Sequence, residues 1–136
     1  MKILGVDFGD SRTGYAISDA LGFGASVVPA FKSGNIKKVA EHTAELAKEL
    51  NAEKIVLGYP KNMNGSLGPR AEKTQRLAGL IKELSDIPII LWDERLTTVS
   101  AHNLMNETNV RGKKRKESVD SISAAYILQG YLDSLK

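Results

Sequence analysis

Three apolar segments crowd into the first 32 residues with no room for a helix between them, and this constrains the fold more than any other feature. Lys2–Phe8 sets Ile3, Leu4, Val6 and Phe8 in a short run that reads as a buried strand. Gly9-Asp10-Ser11-Arg12-Thr13-Gly14 is turn chemistry, and Tyr15–Ser18 resumes the apolar pattern, so the pair reads as a hairpin. A third strand falls within Ala25–Lys32, where Pro29 points to an edge or an irregular stretch. Helix and strand alternate from there. Ile36, Val39, Ala40, Thr43, Leu46, Ala47 and Leu50 keep helical spacing behind an Asn35 cap. Lys54–Leu57 is a buried strand ended by Gly58-Tyr59-Pro60, and Lys61–Pro69 is a loop rich in Asn and Gly. Ala71, Thr74, Leu77, Ala78, Ile81 and Leu84 mark a second helix, and Ile87–Trp92 a further strand. Thr98–Glu107 reads as helical, Thr108–Glu117 as a polar, basic loop, and Ser118 as the cap of a final helix reaching about Leu135. The expected fold is α/β: a mixed sheet, three antiparallel strands and then alternating helix and strand, with helices on both faces.

The 136 residues suit one domain spanning 1–136, and 42% hydrophobic with 26% charged residues argues against disorder. No apolar run is long enough to cross a membrane, and an acid interrupts the N-terminal segment where a signal peptide would need a longer apolar stretch. The absence of cysteine excludes disulfides and thiolate metal sites and fits a cytoplasmic location. Net charge is +3, but residues 111–116 (RGKKRK) hold five cations and no acid, which leaves the rest mildly acidic. A local basic patch is where a polyanion is expected to dock.

Three carboxylates lie where a purely structural sequence would avoid them. Asp7 ends the first strand, Glu94 follows the strand Ile87–Trp92 beside Asp93, and Asp120 shares a helix face with Ala124, Ile127 and Tyr131. Each has an ordinary reading: a turn starter, a partner for Arg95, a favourable charge near a helix N-terminus. Charges on packed elements are costly unless neutralised, and strand ends of α/β sheets are where sites form. Small residues at Ser121, Ser123, Ala124 and Ala125 would let the last helix lie close to the sheet and bring Asp120 toward Asp7. An oxygen-only set suits Mg2+ or Mn2+, and two such ions about 4 Å apart hydrolyse phosphodiesters. Whether Asp93 or Glu94 is the second acid stays open at this point. Gly9-x4-Gly14 lacks the Lys-Ser/Thr of a phosphate loop, having Tyr15-Ala16 instead. His42 falls on the polar side of its helix, far from His102, and neither has zinc spacing.

Four segments in order, GVDFGDSRTGYAISD, GYPKNMNGS, DERLTTVSA and KESVDSISAAYILQGYL, resemble the YqgF family across essentially the whole chain. Those bacterial proteins are described as pre-16S rRNA nucleases and as Holliday-junction resolvases of the RuvX type, and the family is similar to RNase H-like nucleases. The resemblance implies an RNase H-like domain, Asp7, Glu94 and Asp120 as metal-binding acids, and Mg2+ or Mn2+ as the cofactor. It implies a metal-dependent endonuclease, a hydrolase acting on ester bonds in structured nucleic acid. Precursor 16S rRNA, processed in ribosome biogenesis, is the leading substrate, and a branched DNA junction in recombination or repair is the alternative. Two departures stand out: no carboxylate occurs at Gly58-Tyr59-Pro60, where related resolvases place their second acid, and Ser123 stands where they carry a fourth. Sequence-independent phosphate contacts are expected from Arg12, Arg70, Arg95, Arg111, Lys113, Lys114, Arg115 and Lys116. Arg12 could instead pair with Asp10 or Asp19. An ATP-binding module and a non-catalytic ribosome-assembly factor are the remaining alternatives, and both monomer and homodimer are left open.

Overall fold

The computed structural model describes residues 2–19, 24–59, 68–93 and 112–135, with residues 112–120 given as helical backbone only. Five strands form one sheet: β1 (Ile3–Phe8), β2 (Arg12–Ser18), β3 (Ala25–Lys32), β4 (Lys54–Tyr59) and β5 (Ile89–Asp93). Their order is β3-β2-β1-β4-β5. The first three run antiparallel to their neighbours, whereas β4 runs parallel to β1 and β5 parallel to β4. Helices α1 (Ile36–Glu49) and α2 (Pro69–Leu84) share a packed core on one face of the sheet. Helix α3 (Gly112–Ser134) lies on the other face. This is the mixed α/β architecture expected, with helices on both faces.

Several boundaries differ from the sequence reading, each for a local reason. Strand β2 begins at Arg12, so the turn is only Gly9–Ser11, closed by the Gly9 amide donating to the Arg12 carbonyl at 2.9 Å. A Cβ on Gly9 would sit 2.4 Å from that carbonyl oxygen, so the tight turn requires glycine. Pro29 lies where the β2–β3 register shifts, a position at which a missing amide is tolerated. Asn35 caps α1 by accepting from the Lys37 and Lys38 amides at 3.0 and 3.2 Å. The same helix stops at Asn51, whose φ of 57° sets up amide bonds from Ala52 to Ala47 and from Asn51 to Lys48. Helix α2 starts earlier than read, because Pro69 occupies its first turn, where proline's missing amide costs nothing. Strand β4 continues through Gly58 and Tyr59, which pair with Trp92 and Asp93.

The largest correction concerns residues 112–117, read as loop but helical in α3. Lysine, arginine and glutamate are good helix formers, and here that propensity outweighs the cost of cations at a helix N-terminus. The remainder of the expected basic loop, and the expected helix Thr98–Glu107, lie outside the described residues.

Alternation along β1 divides the two cores. Leu4 and Val6 face α1 and α2 with Tyr15, Val39, Leu57, Leu77 and Ile81. Ile3 faces α3 with Ala16, Val56, Ala124, Ile127 and Leu128. Tyr15 is fully buried, and its hydroxyl donates at 2.7 Å to Thr43 Oγ1, which itself donates to the Val39 carbonyl. Burial raises the Tyr15 phenol to about 12 from 10.0, against the smaller opposing effect of the Thr43 bond. A raised folded-state pKa gives stability that is whole below pH 10 and lost as pH climbs toward 12. Tyr15→Phe should therefore remove a share of the alkaline destabilisation worth about 2 kcal/mol by pH 12. Urea unfolding of both forms between pH 9 and 12 measures it, and parallel curves would refute the linkage.

Candidate active site

Because β1, β4 and β5 are parallel, their carboxyl ends reach the same edge of the sheet. Asp7 lies there, half-buried, on the α3 face of β1 that it shares with Ile3 and Gly5. Its cross-strand partner on β2 is Gly14. On β4, the pairing of Val6 with Leu57 brings Gly58 level with Asp7, and Gly58 pairs with Trp92 on β5. Asp7 thus has a residue without a side chain level with it on each neighbouring strand. Trp92 ends this row, edge-on to Tyr131 of α3 at 6.0 Å and 85°.

Helix α3 is seated against β1 so closely that position 5 has no room for a side chain. A Cβ on Gly5 would lie 2.8 Å from Leu128 Cβ and 2.9 Å from the Ala124 carbonyl oxygen. Ser121 fastens the helix by donating to the Val28 carbonyl at 2.7 Å. Val28 pairs with Tyr15, and Tyr15 with Val6, so this bond is level with the residue before Asp7. Asp120 is the residue before Ser121 and one helical turn before Ala124. Positions 7 and 120 therefore come to the same edge of the sheet.

Glu94, Arg95 and Arg111 lie outside the described residues. Asp93 ends β5, half-buried, and strand alternation sets it on the face opposite Trp92 and Asp7. Arg12, the first residue of β2, falls on the Asp7 side of the sheet two residues before Gly14. Arg70 is exposed in the first turn of α2, on the other side. Lys113, Lys114, Arg115 and Lys116 occupy the first turns of α3. His42 is not simply solvated: its ring stacks on Phe31 at 4.1 Å and 6°, and lies 5.5 Å from Tyr15. Among the described residues no group of three or more His, Cys, Asp or Glu could hold a metal. That set contains Asp7 without the side chains of the two other assigned acids.

Sequence reasoning missed Lys73, which reaches the turn after Asp7 from α2, with Nζ 3.7 Å from Asp10 Oδ1 and 5.6 Å from the centre of the Phe8 ring. It also missed the glycines. A glycine inside a strand was the available signal, since it often marks where another backbone approaches.

The family model described as "RuvX: Holliday junction resolvase" matches residues 1–134. A Ruminiclostridium cellulolyticum protein named "Putative pre-16S rRNA nuclease" is 49% identical over 136 residues, covering 99% of this chain and 96% of that protein. A Bacillus cytotoxicus protein of the same name is 46% identical, covering 98% and 99%. Among solved structures, T. thermophilus RuvC in complex with Holliday junction substrate superposes with a TM-score of 0.66 at 11% identity, covering 100% of this chain and 97% of that one. Fowlpox virus resolvase with substrate Holliday junction DNA gives 0.63 at 16% identity, covering 99% of each. At such low identity these two structures establish the fold alone. The match from end to end, together with relatives near half identity over their full lengths, places this chain in the RuvX family, the YqgF family that its four motifs resemble.

Proposed function

We propose that the protein is a Mg2+- or Mn2+-dependent endonuclease that cuts phosphodiester bonds in structured nucleic acid. Precursor 16S rRNA is its leading substrate, following the name shared by its relatives. A four-way DNA junction is the second reading, following the family description. The observation that carries the proposal is Asp7, held at the carboxyl edge between strands that place glycines level with it, with α3 pressed onto the same strand at Gly5.

Asp7, Glu94 and Asp120 are the residues that would hold the metal. Carboxylate oxygens match Mg2+ and Mn2+, hard ions that prefer oxygen ligands. When bound, the metal supplies an activated water and stabilises the leaving oxygen. The position of Asp93 on the opposite face favours Glu94 as the second acid. Arg12, on the Asp7 side, suits a two-pronged grip on a backbone phosphate. Incubating the pure protein with precursor rRNA and with four-way junctions, with and without Mn2+, tests the proposal. Metal-dependent cutting of either supports the nuclease reading and chooses the substrate, and cutting of neither refutes it.

The cations at the start of α3 should act on affinity rather than chemistry. Replacing Lys113, Lys114, Arg115 and Lys116 with alanine should weaken binding alike across sequences and flatten the log–log salt slope by about 0.7 to 0.9 for each phosphate that is no longer neutralised. Saturating substrate should restore much of the rate. An unchanged affinity and slope would remove these residues from the interface.

A further inference from the structure

We propose that Lys73 is a positioning residue for the nucleic-acid strand, gripping a phosphate at the end of β1 next to the acidic site. The inference rests on the nuclease reading above and extends it to the opposite face of the sheet. Lys73 stands in the second turn of α2, one turn beyond Arg70. Its ammonium is 3.7 Å from Asp10 Oδ1 and 5.6 Å from the Phe8 ring centre. Phe8 and Asp10 are the first and third residues after Asp7, so the cation is stationed over the turn that leaves the assigned metal ligand. That turn is held on two further sides, by the Gly9 amide on the Arg12 carbonyl and by the Ser33 amide on the Ser11 carbonyl. It does not depend on Lys73 for its shape.

A contribution to stability is a poor account of the pair. The Asp10 side chain is 76% exposed and that of Lys73 43%, and ion pairs so exposed add little. Their spacing is also long for a charged hydrogen bond. An ammonium has three donors, and the ion pair seen among the described residues, with one distant carboxylate oxygen, leaves capacity for a stronger anion. Asp10 and Phe8 hold the cation at the edge until a phosphate replaces the carboxylate. A strand crossing the end of β1 would meet Lys73 on one side and Arg12 with Asp7 on the other.

Opposite signs separate this role from a structural tether. Affinity for a labelled four-way junction and a labelled precursor-rRNA fragment should be measured in EDTA over a range of salt. Lys73→Met should lose roughly three- to tenfold in affinity and flatten the salt slope by about 0.7 to 0.9, whereas Lys73→Arg should stay near wild type. Asp10→Asn should bind equally or more tightly with an unaltered slope. Lys82→Met, at the far end of α2, removes the same charge and should leave the slope alone. In cleavage assays with Mn2+, Lys73→Met should raise KM and keep most of kcat. Equal losses in Lys73→Met and Asp10→Asn, or a Lys73→Met variant that binds like wild type, would overturn the assignment while leaving the nuclease reading intact. Wild-type protein that binds neither probe would overturn both.

Discussion

Asp7→Asn should reduce cleavage by roughly a thousandfold or more while leaving the fold in place. The substitution keeps the shape of the side chain and removes the charge, so it tests charge alone. Stabilising the charge that develops during phosphodiester hydrolysis is worth several kcal/mol, and each 1.36 kcal/mol is a factor of ten in rate. Stability should hold or rise, because the substitution keeps the size of the side chain and fewer clustered carboxylates repel one another. Trp92 is the single tryptophan of the chain and lies in the same row of the sheet as Asp7, so quenching of its emission by Mn2+ reports metal without cleavage. Quenching should weaken in Asp7→Asn. Glu94→Gln should lose activity similarly, and Asp93→Asn should lose far less. Cleavage by Asp7→Asn within tenfold of wild type would remove the acid from the mechanism. Activity kept in Glu94→Gln and lost in Asp93→Asn would move the second ligand by one residue.

Gly5→Ala should disturb the seat of α3 on the sheet and, through it, the site. The added carbon would be 2.8 Å from Leu128 Cβ and 2.9 Å from the Ala124 carbonyl. Neither is the end of a flexible side chain, so the helix itself must move. Overpacking of this kind costs about 1 to 3 kcal/mol, which is several degrees in Tm for a chain of this size. The catalytic effect should exceed the loss of folded protein, since a shift of about 1 Å in a reacting group can cost a hundredfold. Rates measured well below the melting transition separate the two. A Gly5→Ala variant that melts and cuts like wild type would show that α3 does not need this seat to place Asp120.

The residues differ in how much of this was legible from sequence. Local chemistry was enough for the hairpin, the Asn35 cap and the inward faces of α1 and α2, because turn glycines, capping side chains and helical periodicity each act within a few residues. It also singled out Asp7, a charge at the end of an apolar run. The start of α3 was misread because four successive cations look like a solvated loop when charge is weighed above helix propensity. Lys73 carries no local signal: its nearness to Asp10 exists only after α2 has packed on the sheet. The glycines flanking Asp7 are likewise a matter of register, since Gly14 and Gly58 are 7 and 51 residues away and become neighbours only when β2 and β4 pair with β1. The stacking of His42 on Phe31 also depends on a strand and a helix meeting, and helical periodicity alone set that ring in water.

The seating of α3 on β1 also bears on the order of events during synthesis. Every strand of the sheet is synthesised before α3, and among the described residues α3 is the element that covers Ile3, Ala16 and Val56 on that face. On the assignment above, the same helix delivers the third acid. An unfinished chain can therefore pair its strands and dock α1 and α2 while lacking part of its cutting centre. Completion of the hydrophobic layer and assembly of the acids become a single event, so a nascent nuclease beside ribosomal RNA stays harmless until its last helix docks.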